Sequence, residues 1–193
     1  MYEFWYSIWN FLLMNKFFII LILIFNSLEI NSQQLYTSDG TTTFDGSKES
    51  FEPIKAINNS SASIIDDEGN IAALIYIKDF EFRLGLMQEH FNENYMFSDK
   101  HPKSTFQGYI ENFNYYKLEN NFTNFKILGK IEIKGVKKDI STLAKIKKTD
   151  TGIYLKASFN VKLTDFNIKV PKLVFKKIDE NIEINLSYNY EKK

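Results

Sequence analysis

A chain of 193 residues with 24 basic and 24 acidic side chains has room for one ordinary domain plus a targeting segment, and its net charge implies neither an acidic nor a basic partner. Arg83 is the single arginine, and lysines alternate with Glu, Asp and Asn, so the concentrated basic face that displaces counterions from phosphates is missing and nucleic-acid binding is excluded. The absence of cysteine excludes disulfides, thiolate metal sites and cysteine nucleophiles.

The composition breaks after Ser32. Residues 1–32 carry only Glu3, Lys16 and Glu29 as charges, whereas residues 33–193 mix charged and apolar groups evenly, which sets the expected domain at 33–193. Met14-Asn15-Lys16 followed by the apolar run Phe17 to Phe25, then Asn26 to Ser32, has the layout of a secretory signal. Two readings stay open. Translation starts at Met14 and the signal is removed, or Phe4 to Phe25 remains as a membrane anchor with Trp5, Tyr6 and Trp9 near the interface. Both deliver the domain outside the cytoplasm, to the periplasm or beyond, and the segment is the one place where membrane contact is expected.

Past residue 33 the dominant signal is period-two alternation, the mark of strands with one face on a core and one in water. Strands are predicted over 41–47, 60–66 and 70–77, with Asp66-Asp67-Glu68-Gly69-Asn70 supplying hairpin chemistry between the last two. Leu84, Met87, Phe91 and Tyr95 then recur at spacings of three and four, which predicts a short amphipathic helix ending before Pro102. A strand over 105–113 follows. Phe125, Ile127, Ile131 and Ile133 line the next, with Gly129 leaving a gap in the stripe, and Ile140, Ala144 and Ile146 line another. Lys148-Thr149-Asp150-Thr151-Gly152 reads as a turn. The clearest alternation is Ile153, Leu155, Ala157, Phe159, Val161, Leu163, and the chain ends on a second such stripe, Ile182, Ile184, Leu186, Tyr188, Tyr190. About eight antiparallel strands in one domain favour a closed barrel, because closure removes exposed edges.

Certain of these segments also carry a family resemblance. Gly129-Lys-Ile-Glu-Ile-Lys-Gly135-Val-Lys137-Lys138 running into Asp139-Ile-Ser-Thr resembles the signature of the YceI family. Met87 to Tyr95 with Asp99 to Phe106, and Phe159 to Ile168, are similar to that family's helix-turn-strand and late strand. The resemblance implies an all-β, lipocalin-like extended antiparallel barrel with one short capping helix, whose interior in some members holds a polyisoprenoid or another long apolar chain. It marks Gly129, Gly135 and Lys137 as motif positions, and it implies a periplasmic setting.

The site candidates follow from both readings. Aromatic and Met side chains on the helix and its approach, Phe80, Phe82, Leu84, Met87, Phe91 and Met96, are expected at a barrel mouth, with Phe106, Ile131, Ile133, Phe159, Val161 and Phe166 along an apolar tunnel. His90 and His101 match no metal-ligand spacing, and Asp66-Asp67-Glu68 and Asp179-Glu180 read as solvated hairpin tips rather than paired catalytic carboxylates. No nucleophile elbow, phosphate loop or dinucleotide fingerprint occurs, so no cofactor, metal or catalysis is expected. The expected function is non-enzymatic: storage, transfer or protection of a polyisoprenoid, quinone or acyl chain. The alternative is a solid-core barrel that acts as an interaction module for envelope proteins.

Overall fold

The computed structural model describes residues 34–48, 53–171 and 178–192, and the expected export segment lies outside them. Among the described residues nine strands form: β1 (Leu35–Ser47), β2 (Lys55–Ile65), β3 (Asn70–Tyr76), β4 (Glu81–Phe82), β5 (Lys103–Ile110), β6 (Thr123–Ile133), β7 (Val136–Lys148), β8 (Gly152–Lys162) and β9 (Ile178–Lys192). Their neighbour order is β1-β9-β8-β7-β6-β5-β3-β2, all antiparallel, and β2 returns to β1 along a ladder from Leu35↔Ile65 to Asp45↔Lys55. Eight strands therefore close on themselves as a barrel. The two-residue β4 only extends the wall beside β2, at Ala56↔Phe82.

Side-chain alternation decides what faces inward. Along β8, Ile153, Leu155, Ala157 and Val161 are buried while Lys156, Ser158, Asn160 and Lys162 are exposed. In β1 the inward positions are Leu35, Thr37, Gly40, Thr42 and Gly46, all buried, with Phe44 half-buried among them. Gly40 is required there, because a Cβ would lie 2.6 Å from the ring of Tyr188.

Turn chemistry places the hairpins. Asp66 accepts hydrogen bonds from the backbone N–H of Glu68 (3.0 Å) and of Asn70 (2.9 Å), and Gly69 takes φ +87°, as the β2–β3 turn demands. Lys134 (φ 51°) and Gly135 (φ 75°) form the two-residue β6–β7 turn between Ile133 and Val136, a left-handed pair whose twist matches the strands. One expectation is corrected here: Asp179 and Glu180 are not a hairpin tip but the opening residues of β9. Asp179 accepts from the Asn181 N–H at 2.8 Å and Glu180 faces Lys162 at 3.9 Å, because the β8–β9 ladder begins at Lys162↔Asn181.

The predicted helix is present as α1 (Gly85–His90), which runs on into a π-helical turn over Phe91–Met96 and stops at Phe97, whose backbone is left-handed. Phe91, Tyr95 and Met96 all reach the same interior space.

Two buried clusters fill the ends. At the end where β2, β5, β7 and β9 finish, Leu35, Ile65, Ile110, Phe113, Tyr115, Leu118, Ile146, Ile153 and Tyr190 close the barrel. At the end where β1, β3, β6 and β8 finish, Ile77, Met96, Val161, Phe166, Ile168 and Ile182 pack with Phe91 and Tyr95 from the helical segment. Beneath this second end lies a cavity.

Candidate functional site: an apolar cavity in the barrel

The cavity measures about 470 Å³ and its wall is almost wholly hydrocarbon, within the size range of small-molecule sites. Its floor is formed by inward residues of β8 and β9, Leu155, Ala157, Leu186, Tyr188 and Tyr190. The two tyrosine hydroxyls are committed to the wall. Tyr188 Oη is 2.8 Å from Thr42 Oγ1, which is 2.8 Å from Ser61 Oγ, and Ser61 donates to Asn58 Oδ1 at 3.1 Å. Tyr190 donates to Ser63 Oγ at 2.7 Å, and Ser63 donates to the Ala72 carbonyl at 2.7 Å. Burial pushes both phenols above the ordinary tyrosine range, so they remain neutral and present ring surface to the cavity.

At the opposite end four phenyl rings meet. Phe91 of the π turn lies 5.4 Å from Phe44, 5.7 Å from Phe80 and 5.0 Å from Phe82, measured between centroids. These are ordinary spacings for stacked and edge-on pairs, and they seat the helical segment over the barrel end. α1 itself buries no residue, and Leu84 and Leu86 remain exposed beside the cavity they help to line. Burial likewise raises the Tyr95 phenol.

A lysine stands in the β6–β7 turn at this end. Lys134, next to cavity-lining Ile133, donates to the Asn167 carbonyl at 3.2 Å and lies 4.5 Å over the Phe97 ring. Partial burial, and then the charge of Lys169, lowers its pKa below the usual lysine value.

All twelve residues expected in the tunnel line this one cavity: Phe80, Phe82, Leu84, Met87, Phe91, Met96, Phe106, Ile131, Ile133, Phe159, Val161 and Phe166. Gly129 does not touch it but explains one of them. It faces Gly108 across the β5–β6 ladder, and a Cβ on it would lie 2.6 Å from Cζ of Phe106 and 2.7 Å from the Gly108 Cα. The Phe106 ring thus fills the gap that Gly129 leaves in the β6 stripe. A Cβ on Gly135 would lie 3.1 Å from the His101 ring, and Lys137 is an exposed residue 3.6 Å from Glu132, away from the cavity. His90 lines the cavity, and no group of three or more His, Asp or Glu that could hold a metal occurs among the described residues.

Sequence reasoning missed Phe44, Ile182, Ile184, Tyr188 and Tyr190 as wall residues. The last four stood in plain view in the C-terminal alternation. Phe44 had no such signal, because it is the lone large apolar group between Thr41-Thr-Thr and Asp45-Gly-Ser.

A closed eight-stranded antiparallel barrel with a helical segment at one end and an apolar hollow behind it defines the class: a lipocalin-like container fold. Residues 27–190 match the YceI-like domain, and the chain belongs to that family. Among solved structures, a polyisoprenoid binding domain from Saccharophagus degradans, implicated in plant cell wall breakdown, superposes with a TM-score of 0.72 at 12% identity, over 83% of this chain and 98% of that one. BcnA of Burkholderia cenocepacia follows with a TM-score of 0.63 at 13% identity, over 76% and 94% of the respective chains. The YCEI protein of Campylobacter jejuni gives 0.59 at 17% identity, over 76% and 88%. At these identities the likeness speaks for the fold. No curated protein sequence matches the chain.

Proposed function

We propose that this protein is a non-enzymatic carrier that holds a long apolar ligand, a polyisoprenoid, quinone or acyl chain, inside its barrel outside the cytoplasm. One observation carries the reading: a hollow of about 470 Å³ lined almost wholly by hydrocarbon, in which the Tyr188 and Tyr190 hydroxyls are hydrogen-bonded into the wall instead of aimed at the space. A catalytic site needs convergent polar groups facing a substrate, and this wall offers hydrocarbon. The hollow likewise favours a container over a solid-core interaction module. The polyisoprenoid-binding relative supports the ligand class, and the signal-like run from Met14 to Ser32 supports export.

Capacity and energetics suit exchange. An apolar cavity of about 150 Å³ accepts one benzene, so about 470 Å³ takes on the order of twenty carbon atoms. At about 0.8 kcal/mol per CH₂, transfer of such a chain from water gains about 16 kcal/mol, just above the roughly 4–15 kcal/mol that association costs. A ligand drawn from a membrane starts in an apolar medium, so most of that gain vanishes and release stays feasible. Such exchange suits storage or transfer of the chain.

Native mass spectrometry of the protein purified from its own host tests the reading. A bound apolar chain that organic solvent extracts is the expected result, with a mature N-terminus at Gln33 if the signal is removed. A protein that carries no lipid and takes up no added prenol would end it.

A further inference from the structure

The barrel wall is unzipped along part of one seam. β7 pairs with β8 only from Ala144↔Ala157 to Lys148↔Ile153. Beyond that point β7 continues to Val136, paired with β6, and β8 continues to Lys162, paired with β9, yet no ladder joins the two. A hydrogen bond from Thr142 Oγ1 to the Ser158 carbonyl at 3.2 Å bridges the start of the split.

A groove of about 510 Å³ occupies this split. Its lining takes residues from both faces of the wall: outward Ser141, Leu143 and Ser158, and inward Ile140, Thr142 and Phe159. The same three inward residues line the interior cavity. The groove and the cavity therefore lie on the two sides of the same three side chains, Ile140, Thr142 and Phe159.

We propose that this split is a lateral port through which the tail of a long prenyl or acyl chain leaves the barrel. The inference rests on the container reading and deepens it. A cavity that takes on the order of twenty carbons cannot enclose a chain of twice that length, so the excess needs a way out. The unpaired seam supplies one, and Leu143, 65% exposed on the outer side, gives the emerging tail an apolar surface.

A partner β-strand is the other candidate occupant. Each ladder spaces strands by about 4.7–4.9 Å, so an inserted strand needs β7 and β8 about twice that far apart. The Thr142–Ser158 bridge holds them closer than that where the split begins. A bare hydrocarbon chain needs no ladder on either side.

The absence of native cysteine makes the test direct. An environment-sensitive dye is placed by Leu143→Cys in the full chain, and in a second variant by Tyr116→Cys, 76% exposed in the connection between β5 and β6. Farnesol is shorter than the cavity's capacity, and solanesol is more than twice it. Both are expected to bind, as read by native mass spectrometry, but solanesol alone shifts the dye at position 143 to the blue, and neither prenol shifts it at 116. Solanesol bound without a shift at 143, or an equal shift with farnesol, overturns the port and leaves the container standing. If neither prenol binds, the container reading falls and the port with it. A shift at 143 that grows with protein concentration in the absence of prenol marks a strand-pairing edge and also overturns the port.

Discussion

The β2–β3 and β7–β8 seams both lose their ladder partway along, and the barrel treats them in opposite ways. Between β2 and β3 the ladder stops at Ala62↔Leu74, and β2 regains a partner only at Ala56↔Phe82 in β4. The chain between includes the 3-10 turn Ile77–Asp79. Side chains seal that gap: Asn58, fully buried, donates to the Tyr76 carbonyl at 3.1 Å and accepts from the Ser60 N–H at 2.9 Å and from Ser61 Oγ, while Ser60 Oγ donates to Asp79 at 2.8 Å. Between β7 and β8 one threonine bridge spans the start, and the rest is left as a groove. A gap in a sheet need not be a weakness. What distinguishes a seal from an opening is whether side chains replace the lost backbone bonds.

The largest effect is expected at the sealed seam. Asn58→Leu keeps the number of side-chain atoms but removes the donor to the Tyr76 carbonyl and the acceptor of the Ser60 N–H and of Ser61 Oγ, which keeps its Thr42 partner; an unmet buried group costs about 1–3 kcal/mol, so a loss of about 2 kcal/mol by urea denaturation is expected. A loss below about 0.5 kcal/mol, the range of an ordinary surface change, would show that the polar plug seals nothing.

Next comes the polar belt that joins β9 to this seam. Tyr190→Phe removes one buried hydrogen bond, to Ser63, and is expected to cost about 1 kcal/mol. The same belt sets an alkaline limit. Folding raises the pKa of Tyr188 and Tyr190, so above about pH 10 the unfolded chain releases phenolic protons that the folded barrel retains. The native state then binds more protons, and stability, complete below that pH, falls as pH rises. Tyr190→Phe should flatten this fall, and melting temperatures from pH 8 to 11 measure it.

The smallest effect belongs to the open seam. Thr142→Val removes a half-exposed bridge, and a change within about 0.5 kcal/mol is expected. Hydrogen exchange sharpens the contrast. Alternate amides of 137–143 and 158–162, which have no ladder partner across the split, should exchange freely while those of Ala144 to Lys148 are protected. Uniform protection along β7 would close the seam and with it the difference between the two.

Much of this molecule was legible in one dimension. The stripes of 153–163 and 182–190 announced β8 and β9, the three-four spacing from Leu84 to Tyr95 announced the helical segment, and the twelve apolar positions chosen for a tunnel line a single cavity. Other parts were less legible, and of β1 only 41–47 was expected as a strand. β1 has few large apolar groups, because its interior side is Thr37, Gly40 and Thr42 set against Tyr188 and Ser61. Nothing in Asn58-Asn-Ser-Ser61 separates a buried plug from a solvated strand, and Thr142 has the same appearance as any threonine in a strand.

Alternation and spacing, then, determined which residues face inward and that about eight strands close, since both follow from the two-residue repeat of a strand and the cost of a bare edge. Only the tertiary structure decided where ladders continue and where they part, and how much space the inward groups leave unfilled. Pairing and volume depend on which strands lie opposite, and residues such as Thr42 and Tyr188, 146 positions apart, meet only after the chain has closed.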